Sequence, residues 1–161
     1  MNEVLLYDRD VVLWSEQQAA LLRAAASARR NEPIDWENVA QEIESVGRAH
    51  RTEVRSRLFR IVEHLLRLQF SPAREPRRLW AETIGQQRAD LELLLEDAPS
   101  LQPQLAALLD GTRAVAVRRA AGSLAAYGEA AAAERVREHA GSFTLEQVLG
   151  DWFPSGAQED R

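Results

Sequence analysis

The residues of this sequence best suited to binding an anion lie in the stretch SPAREPRRLW, residues 71–80, which we call the elbow. Arg74, Arg77 and Arg78 cluster there, and a guanidinium fork matches the oxygens of a phosphate or a carboxylate. The surrounding residues 48–78 contain nine arginines and three acids, a net charge of +6, whereas the whole chain carries −5. We predict that the elbow is first a helix joint, whose arginines dock onto the acidic first or third helix of the same chain. Arg74, Arg77 and Arg78 are secondarily candidates for binding an anion or an acidic protein partner.

Some of the basic residues have a structural explanation that needs no ligand. On one long predicted helix, three acids precede arginines at i, i+4, an order that favours surface ion pairs of about 0.2–0.5 kcal/mol each. These pairs are Glu44–Arg48, Glu53–Arg57 and Glu63–Arg67. The elbow arginines are expected to have only Glu75 as an acidic neighbour, so they remain available for a partner.

Histidine is the other candidate for chemistry, and the chain has three: His50, His64 and His139. The first two would lie about 21 Å apart on one helix, so they cannot share a metal ion. The sequence contains neither Glu-x-x-His nor His-Glu-x-x-His, the helical spacings that hold metals. We predict no metal site and no cofactor. His64, which precedes the elbow, is retained as a candidate functional histidine, with a structural role at the edge of an apolar face as the alternative.

Two missing residue types exclude whole classes of enzyme. The chain has no cysteine, so it has no thiol nucleophile, disulfide or cysteine-based zinc site. All 20 basic residues are arginine, and P-loop proteins, kinases and Schiff-base enzymes require a lysine. Enzymes of these classes are therefore excluded.

The elements that must position these residues are helices. Apolar residues recur every three or four positions, and no alternating run of strand length occurs. The pattern predicts an all-α, single-domain bundle over 1–154, with one long central helix at about 36–70, a short C-terminal helix, and a disordered tail at 155–161. Pro72 and Pro76 should interrupt the helix at the elbow, because each lacks a backbone N–H.

Helix ends can be read from capping residues. Asp35 precedes the long helix and can accept hydrogen bonds from its first free N–H groups. Thr144 and Gln147 have the spacing of a capping box, which predicts the start of the C-terminal helix. Between Gly111 and Gly141 the alanine-rich sequence favours helix but defines no apolar face, so one or two helices with uncertain ends are expected.

Four stretches of the chain together resemble the bacterial proteins grouped as domain of unknown function family 29. They are LYDRDVVLWSEQQAALLR near the start, DWENVAQEIESVGRAHRTEVRSRLFRIVEHLLRLQF in the long helix, PRRLWAETIGQQRADLELLLEDAPSLQPQL after the elbow, and FTLEQVLGDWFP near the end. The resemblance covers almost the whole chain. It implies an all-α domain, and it brings no established activity and no catalytic residues.

The remaining predictions concern location and self-association. No apolar run approaches the roughly 18 residues of a membrane span, and acids stand where a secretory signal would carry positive charge. We therefore expect a cytoplasmic bacterial protein without a membrane partner. Phe59, Val62 and Leu66 form a second apolar line on the long helix, which predicts a homodimer. Alternatively, this half of the helix is central and covered on both sides by its own chain.

These observations favour a non-enzymatic helical interaction or regulatory module. A nucleic-acid-associated regulator that uses the basic elbow is the alternative. It is not favoured, because the sequence pI of about 5.3 is acidic, whereas nucleic-acid-binding domains typically have a basic pI. A small enzyme with an unrecognised site is the third hypothesis, and a pocket that gathers His64 with Glu42 or Arg88 would support it.

Overall fold

The helical periodicity of the sequence is realised over almost the whole chain. The computed structural model describes residues 5–28 and 33–155, and no strand occurs in these two ranges, which confirms the all-α prediction. The helices are α1 (Leu6–Arg9), α2 (Val11–Ala28), α3 (Trp36–Phe70), α4 (Arg77–Asp97), α5 (Leu105–Ala126), α6 (Ala130–His139) and α7 (Leu145–Leu149), with a 3₁₀ helix at Pro99–Gln104. The long central helix is α3 and the short C-terminal helix is α7, as predicted. None of the described helices has the length and apolarity needed to cross a bilayer.

The fold divides into two compact units. The first consists of the described residues of Met1–Glu53 and Leu93–Gln104, and the second of Val54–Glu92 with the described residues of Leu105–Arg161. Both α3 and α4 contribute residues to each unit. The single-domain organisation over 1–154 stays a prediction, and the predicted tail lies, apart from Ser155, outside the described residues.

A buried carboxylate organises the start of the first unit. Asp10 lies between α1 and α2, and its Oδ1 accepts a hydrogen bond of 2.8 Å from the backbone N–H of Leu13, which caps α2. The same carboxylate accepts hydrogen bonds from the backbone N–H and the hydroxyl of Ser100, at 2.6 and 2.9 Å. Asp10 thus satisfies donors at the beginnings of two helices that lie far apart in the sequence.

Small residues allow α2 and α3 to approach each other closely. A Cβ on Gly47 would lie 3.0 Å from Ser15 Oγ and 3.5 Å from Val12 Cγ1. Ser15 is fully buried, and its hydroxyl donates to the carbonyl of Val12 at 2.8 Å. Glycine at position 47 suits this close approach, because a larger residue would require the buried, hydrogen-bonded Ser15 side chain to shift by a few tenths of an ångström.

The helix-face ion pairs predicted from spacing largely form. Glu44 lies 3.4 Å from Arg48, and Glu63 lies 2.6 Å from Arg67, which confirms two of the three pairs. The third arginine, Arg57, contacts Asp90 of α4 at 2.6 Å, an interaction between helices that the sequence pattern did not predict.

The second half of α3 is buried on several sides. Ile61, Val62, Leu65 and Leu66 are inaccessible to solvent. Of the two explanations for the line through Phe59, Val62 and Leu66, this burial supports a helix covered by its own chain. Val62 and Leu66 are therefore not accessible for a dimer contact, whereas Phe59 is half-buried, and the homodimer stays a prediction.

The alanine-rich region forms two helices, α5 and α6, that contact each other. Both carry buried alanines: Ala116, Ala120 and Ala121 on α5, and Ala132 and Ala133 on α6. The chain turns between them at Gly128, whose φ of 82° suits glycine far better than other residues. The burial of these small side chains shows that this region contributes to the core although the sequence has no large apolar face there.

The C-terminal helix starts at the predicted capping box. The backbone N–H of Gln147 donates to Thr144 Oγ1 at 3.2 Å, and the backbone N–H of Thr144 donates to Gln147 Oε1 at 2.9 Å. Phe143 and Val148, which flank this cap, are both buried. Arg113 of α5 donates to the carbonyls of Gly141 and Phe143, so the segment leading into α7 is held by a side chain as well as by packing.

Candidate functional site

The elbow is a helix joint in which one of the three predicted arginines has a structural role. In a continuous helix, the carbonyl of Leu68 would accept from the residue four positions on, but that residue is Pro72, which has no N–H. Arg77 supplies the missing donor, because its Nη1 donates to this carbonyl at 2.6 Å. Nη2 of Arg135 similarly donates to the carbonyl of Phe70 at 3.1 Å. Two arginines therefore cap the end of α3.

The other two elbow arginines are exposed. Arg78 forms an i, i+4 ion pair with Glu82 at 2.8 Å, although 87% of its side chain remains accessible. The expectation that Glu75 is the only acidic neighbour is wrong, because Glu82 lies one helical turn beyond Arg78. Arg74 is exposed and also makes an interaction within the chain. The elbow thus presents two accessible guanidinium groups, and its binding of an anion stays a prediction.

His64 is held by its own helix. Its Nδ1 lies 2.8 Å from the carbonyl of Arg60, the residue one turn earlier. Burial lowers the pKa of His64 below its usual 6.5, and the positive charges of Arg67 and Arg60 act in the same direction, while the backbone hydrogen bond opposes them. The ring is therefore neutral at pH 7, and Nδ1 is engaged with the main chain.

The other two histidines, His50 and His139, also make contacts within the chain. Nδ1 of His50 lies 2.9 Å from the carbonyl of Val46. His139 packs between Phe70 and Phe143, with ring centroids 5.4 and 4.7 Å away. Within residues 5–28 and 33–155, no three His, Asp or Glu side chains come together as a metal site would require.

Arg88, proposed as a partner of His64 in an enzyme, binds the C-terminal segment instead. Its Nε donates to the carbonyl of Val148 at 2.9 Å, and its Nη2 donates to the carbonyls of Gln147 and Trp152, both at 2.8 Å. Its guanidinium carbon also lies 4.9 Å from the centroid of the Phe153 ring. Arg88 therefore caps α7 and holds the residues that follow it, which leaves the guanidinium occupied.

A second group of arginines, which sequence reasoning missed, lines an open cavity in the second unit. The cavity has a volume of 440 Å³ and is lined by Arg67 of α3 and by four residues of α5: Arg118, Arg119, Gly122 and Ser123. Arg118 and Arg119 are exposed, and neither forms an ion pair or hydrogen bond with any residue of the described part of the chain. We call these five residues the arginine cavity.

Arg67, which lines the arginine cavity from α3, is held in place by an ion pair. Its Nη2 donates to Glu63 Oε1 at 2.6 Å, and the Glu63 side chain is only 7% exposed. The Nε of Arg67 is buried and has no hydrogen-bond partner among the described residues. A buried N–H without an acceptor costs about 1–3 kcal/mol. Arg67 therefore keeps one unsatisfied donor on a side chain that lines the cavity.

One signal in the sequence could have indicated this site. Arg118 and Arg119 are adjacent in AVRRAAGS, and neither has an acid three or four positions away on either side. Arginines without such helical partners are the ones left for other interactions. The contribution of Arg67 could not have been found in this way, because it lies on a different helix and its local partner Glu63 explains it.

Comparison with known proteins places the chain in a class of all-helical proteins without assigned activity. The solved structure of an α-helical protein of unknown function from Rhodospirillum rubrum is similar, with a TM-score of 0.65, 27% sequence identity, and coverage of 78% of each chain. No functionally curated protein matches the sequence. The model of the domain of unknown function DUF29 matches residues 6–153. The chain belongs to this family, as the four sequence stretches indicated.

Proposed function

We propose that the protein is a non-enzymatic binding module that takes an anionic group of its ligand or partner at the arginine cavity. One observation carries this proposal: three guanidinium groups from two helices line a single open cavity, and two of them have no partner within the described residues. A bacterial, cytoplasmic location remains part of this proposal.

The arrangement favours binding of negative charge for an electrostatic reason. Two adjacent cations on α5 face the same cavity as a third cation from α3, and like charges at such positions repel each other. An anion in the cavity would relieve this repulsion and accept several charge-assisted hydrogen bonds, which are about twice as strong as neutral ones. The elements that hold the arginines are long helices, so the site is largely formed before binding.

An acidic peptide provides the first test. We expect a fluorescently labelled peptide rich in Asp and Glu to bind the full chain in an anisotropy titration at low salt. Arg118→Ala and Arg119→Ala should each weaken binding by about fivefold or more, because a charge-assisted hydrogen bond is lost. Arg137→Ala is the matched control, since Arg137 is an exposed arginine of the same unit that pairs with Glu134 outside the cavity. Equal effects of all three substitutions would contradict the proposal.

The exposed elbow supports a second candidate, a nucleic-acid-associated regulator. The supporting observation is that Arg78 keeps 87% of its side chain accessible and Arg74 is also exposed. Replacing both by alanine should reduce the slope of log affinity against log salt by about 1.4–1.8 if both contact phosphates. Absence of DNA and RNA binding by the unmodified chain at low salt would remove this candidate.

A further inference from the structure

The charge of the arginine cavity points to a particular kind of anion. Three guanidinium groups carry +3, and the carboxylate of Glu63, bonded to Arg67, contributes −1, so the group as a whole carries +2. A carboxylate ligand would neutralise half of this charge. A phosphate monoester carries about −1.5 to −2 at pH 7 and presents three acceptor oxygens, which matches both the charge and the number of arginines.

The remaining lining residues also suit a phosphate. The hydroxyl of Ser123 makes no hydrogen bond to another residue of the described ranges, so it is free to donate to an oxyanion. At Gly122, an added Cβ would meet no atom within 4 Å, which leaves the helix surface beside Ser123 open to the ligand. The guanidinium of Arg67, which lines the same cavity, contributes its positive charge.

We propose that the arginine cavity binds the phosphate group of a small phosphate monoester. This inference rests on the proposed function and specifies its ligand. The volume of 440 Å³ lies within the range of about 300–1,000 Å³ that is typical of small-molecule sites. The cavity therefore has room for the phosphate group, and the rest of a small ligand would extend toward its open side.

The experiment compares two ligands that differ only in their anionic group. Phenyl phosphate and benzoate are titrated into the full chain by isothermal calorimetry at constant ionic strength. Phenyl phosphate should bind at least about tenfold more tightly, because it forms more charge-assisted hydrogen bonds. Arg118→Ala and Arg119→Ala should each weaken phenyl phosphate binding by about fivefold or more. Arg137→Ala should leave it unchanged.

A pair of glycine substitutions in α5 tests the location without removing charge. At both glycines an added methyl group meets no atom within 4 Å. Gly122→Ala places this methyl group in the cavity lining, whereas Gly111 does not line the cavity. Both variants should fold, because alanine is favoured over glycine inside helices. Only Gly122→Ala should weaken phenyl phosphate binding.

The possible outcomes separate the two proposals. Equal affinity for benzoate and phenyl phosphate would overturn the phosphate inference. If phenyl phosphate fails to bind while the acidic peptide binds in a manner that depends on Arg118 and Arg119, the inference fails and the proposed function stands. If neither ligand binds, both fail. If Arg78→Ala abolishes phenyl phosphate binding while Arg118→Ala binds phenyl phosphate as the unmodified chain does, the site lies at the elbow. That result would overturn the inference.

Discussion

Replacement of Arg77 by alanine should destabilise the protein even though Arg77 lies in a basic cluster at the elbow. The substitution removes the donor that satisfies the Leu68 carbonyl at 2.6 Å, where Pro72 cannot supply one. A hydrogen bond from a charged group contributes about 1.5–3 kcal/mol. With a urea dependence of about 2 kcal/mol per M, the unfolding midpoint should fall by about 0.75–1.5 M, measured by circular dichroism at 222 nm.

The neighbouring arginine is a matched control. Arg78 has the same charge and lies in the same turn, but its pair with Glu82 is exposed to solvent. Ion pairs exposed to solvent contribute little to stability, so Arg78→Ala should shift the midpoint clearly less than Arg77→Ala does. If the two substitutions reduce stability equally, Arg77 does not stabilise the joint, and its role must be sought in binding.

A double-mutant cycle identifies the group on which Arg77 acts. Pro72→Ala restores a backbone N–H at the position that could bond to the Leu68 carbonyl. In the Pro72→Ala variant, Arg77→Ala should lower the free energy of unfolding by a smaller amount, with a coupling free energy of about 1 kcal/mol between the two sites. The same loss in both backgrounds would show that Arg77 stabilises the elbow by some other contact.

Three further predictions test packing and titration. Gly47→Ala should lower the free energy of unfolding by about 1 kcal/mol, because the new methyl would approach Ser15 Oγ to 3.0 Å, and Ser15→Ala should relieve the loss. Gly111→Ala should raise the free energy of unfolding by about 0.5–1 kcal/mol, because its methyl meets open space; a destabilised variant would contradict this. Burial lowers the pKa of both His64 and His139 below 6.5. As the pH falls through 6.5, the unfolded chain therefore binds more protons at these histidines than the folded chain does. Stability should therefore decrease from pH 7.5 to 5.5 in urea titrations, and His64→Gln with His139→Gln should flatten that dependence.

Helix boundaries were predictable because they depend on local backbone chemistry. Asp35 starts α3 by accepting a hydrogen bond from the N–H of Asn38 at 3.3 Å. Pro72 ends the same helix because it lacks a donor, and the capping box of Thr144 and Gln147 starts α7. Each of these effects involves residues within four positions of one another. The all-α class follows from the same local periodicity.

The sequence by itself determined the helix ends that are set by a capping residue or a proline, and which residues carry charge. Only the tertiary structure decided where the helices of the alanine-rich region end and which charges meet. Arg77 and Arg78 are adjacent and chemically identical, yet one caps α3 and the other is exposed, because only the first reaches the Leu68 carbonyl. Arg67 and Arg118 belong to different helices, and no local pattern relates them. They line one cavity because the tertiary fold brings the side chains of α3 and α5 to the same space, and that arrangement depends on the whole chain.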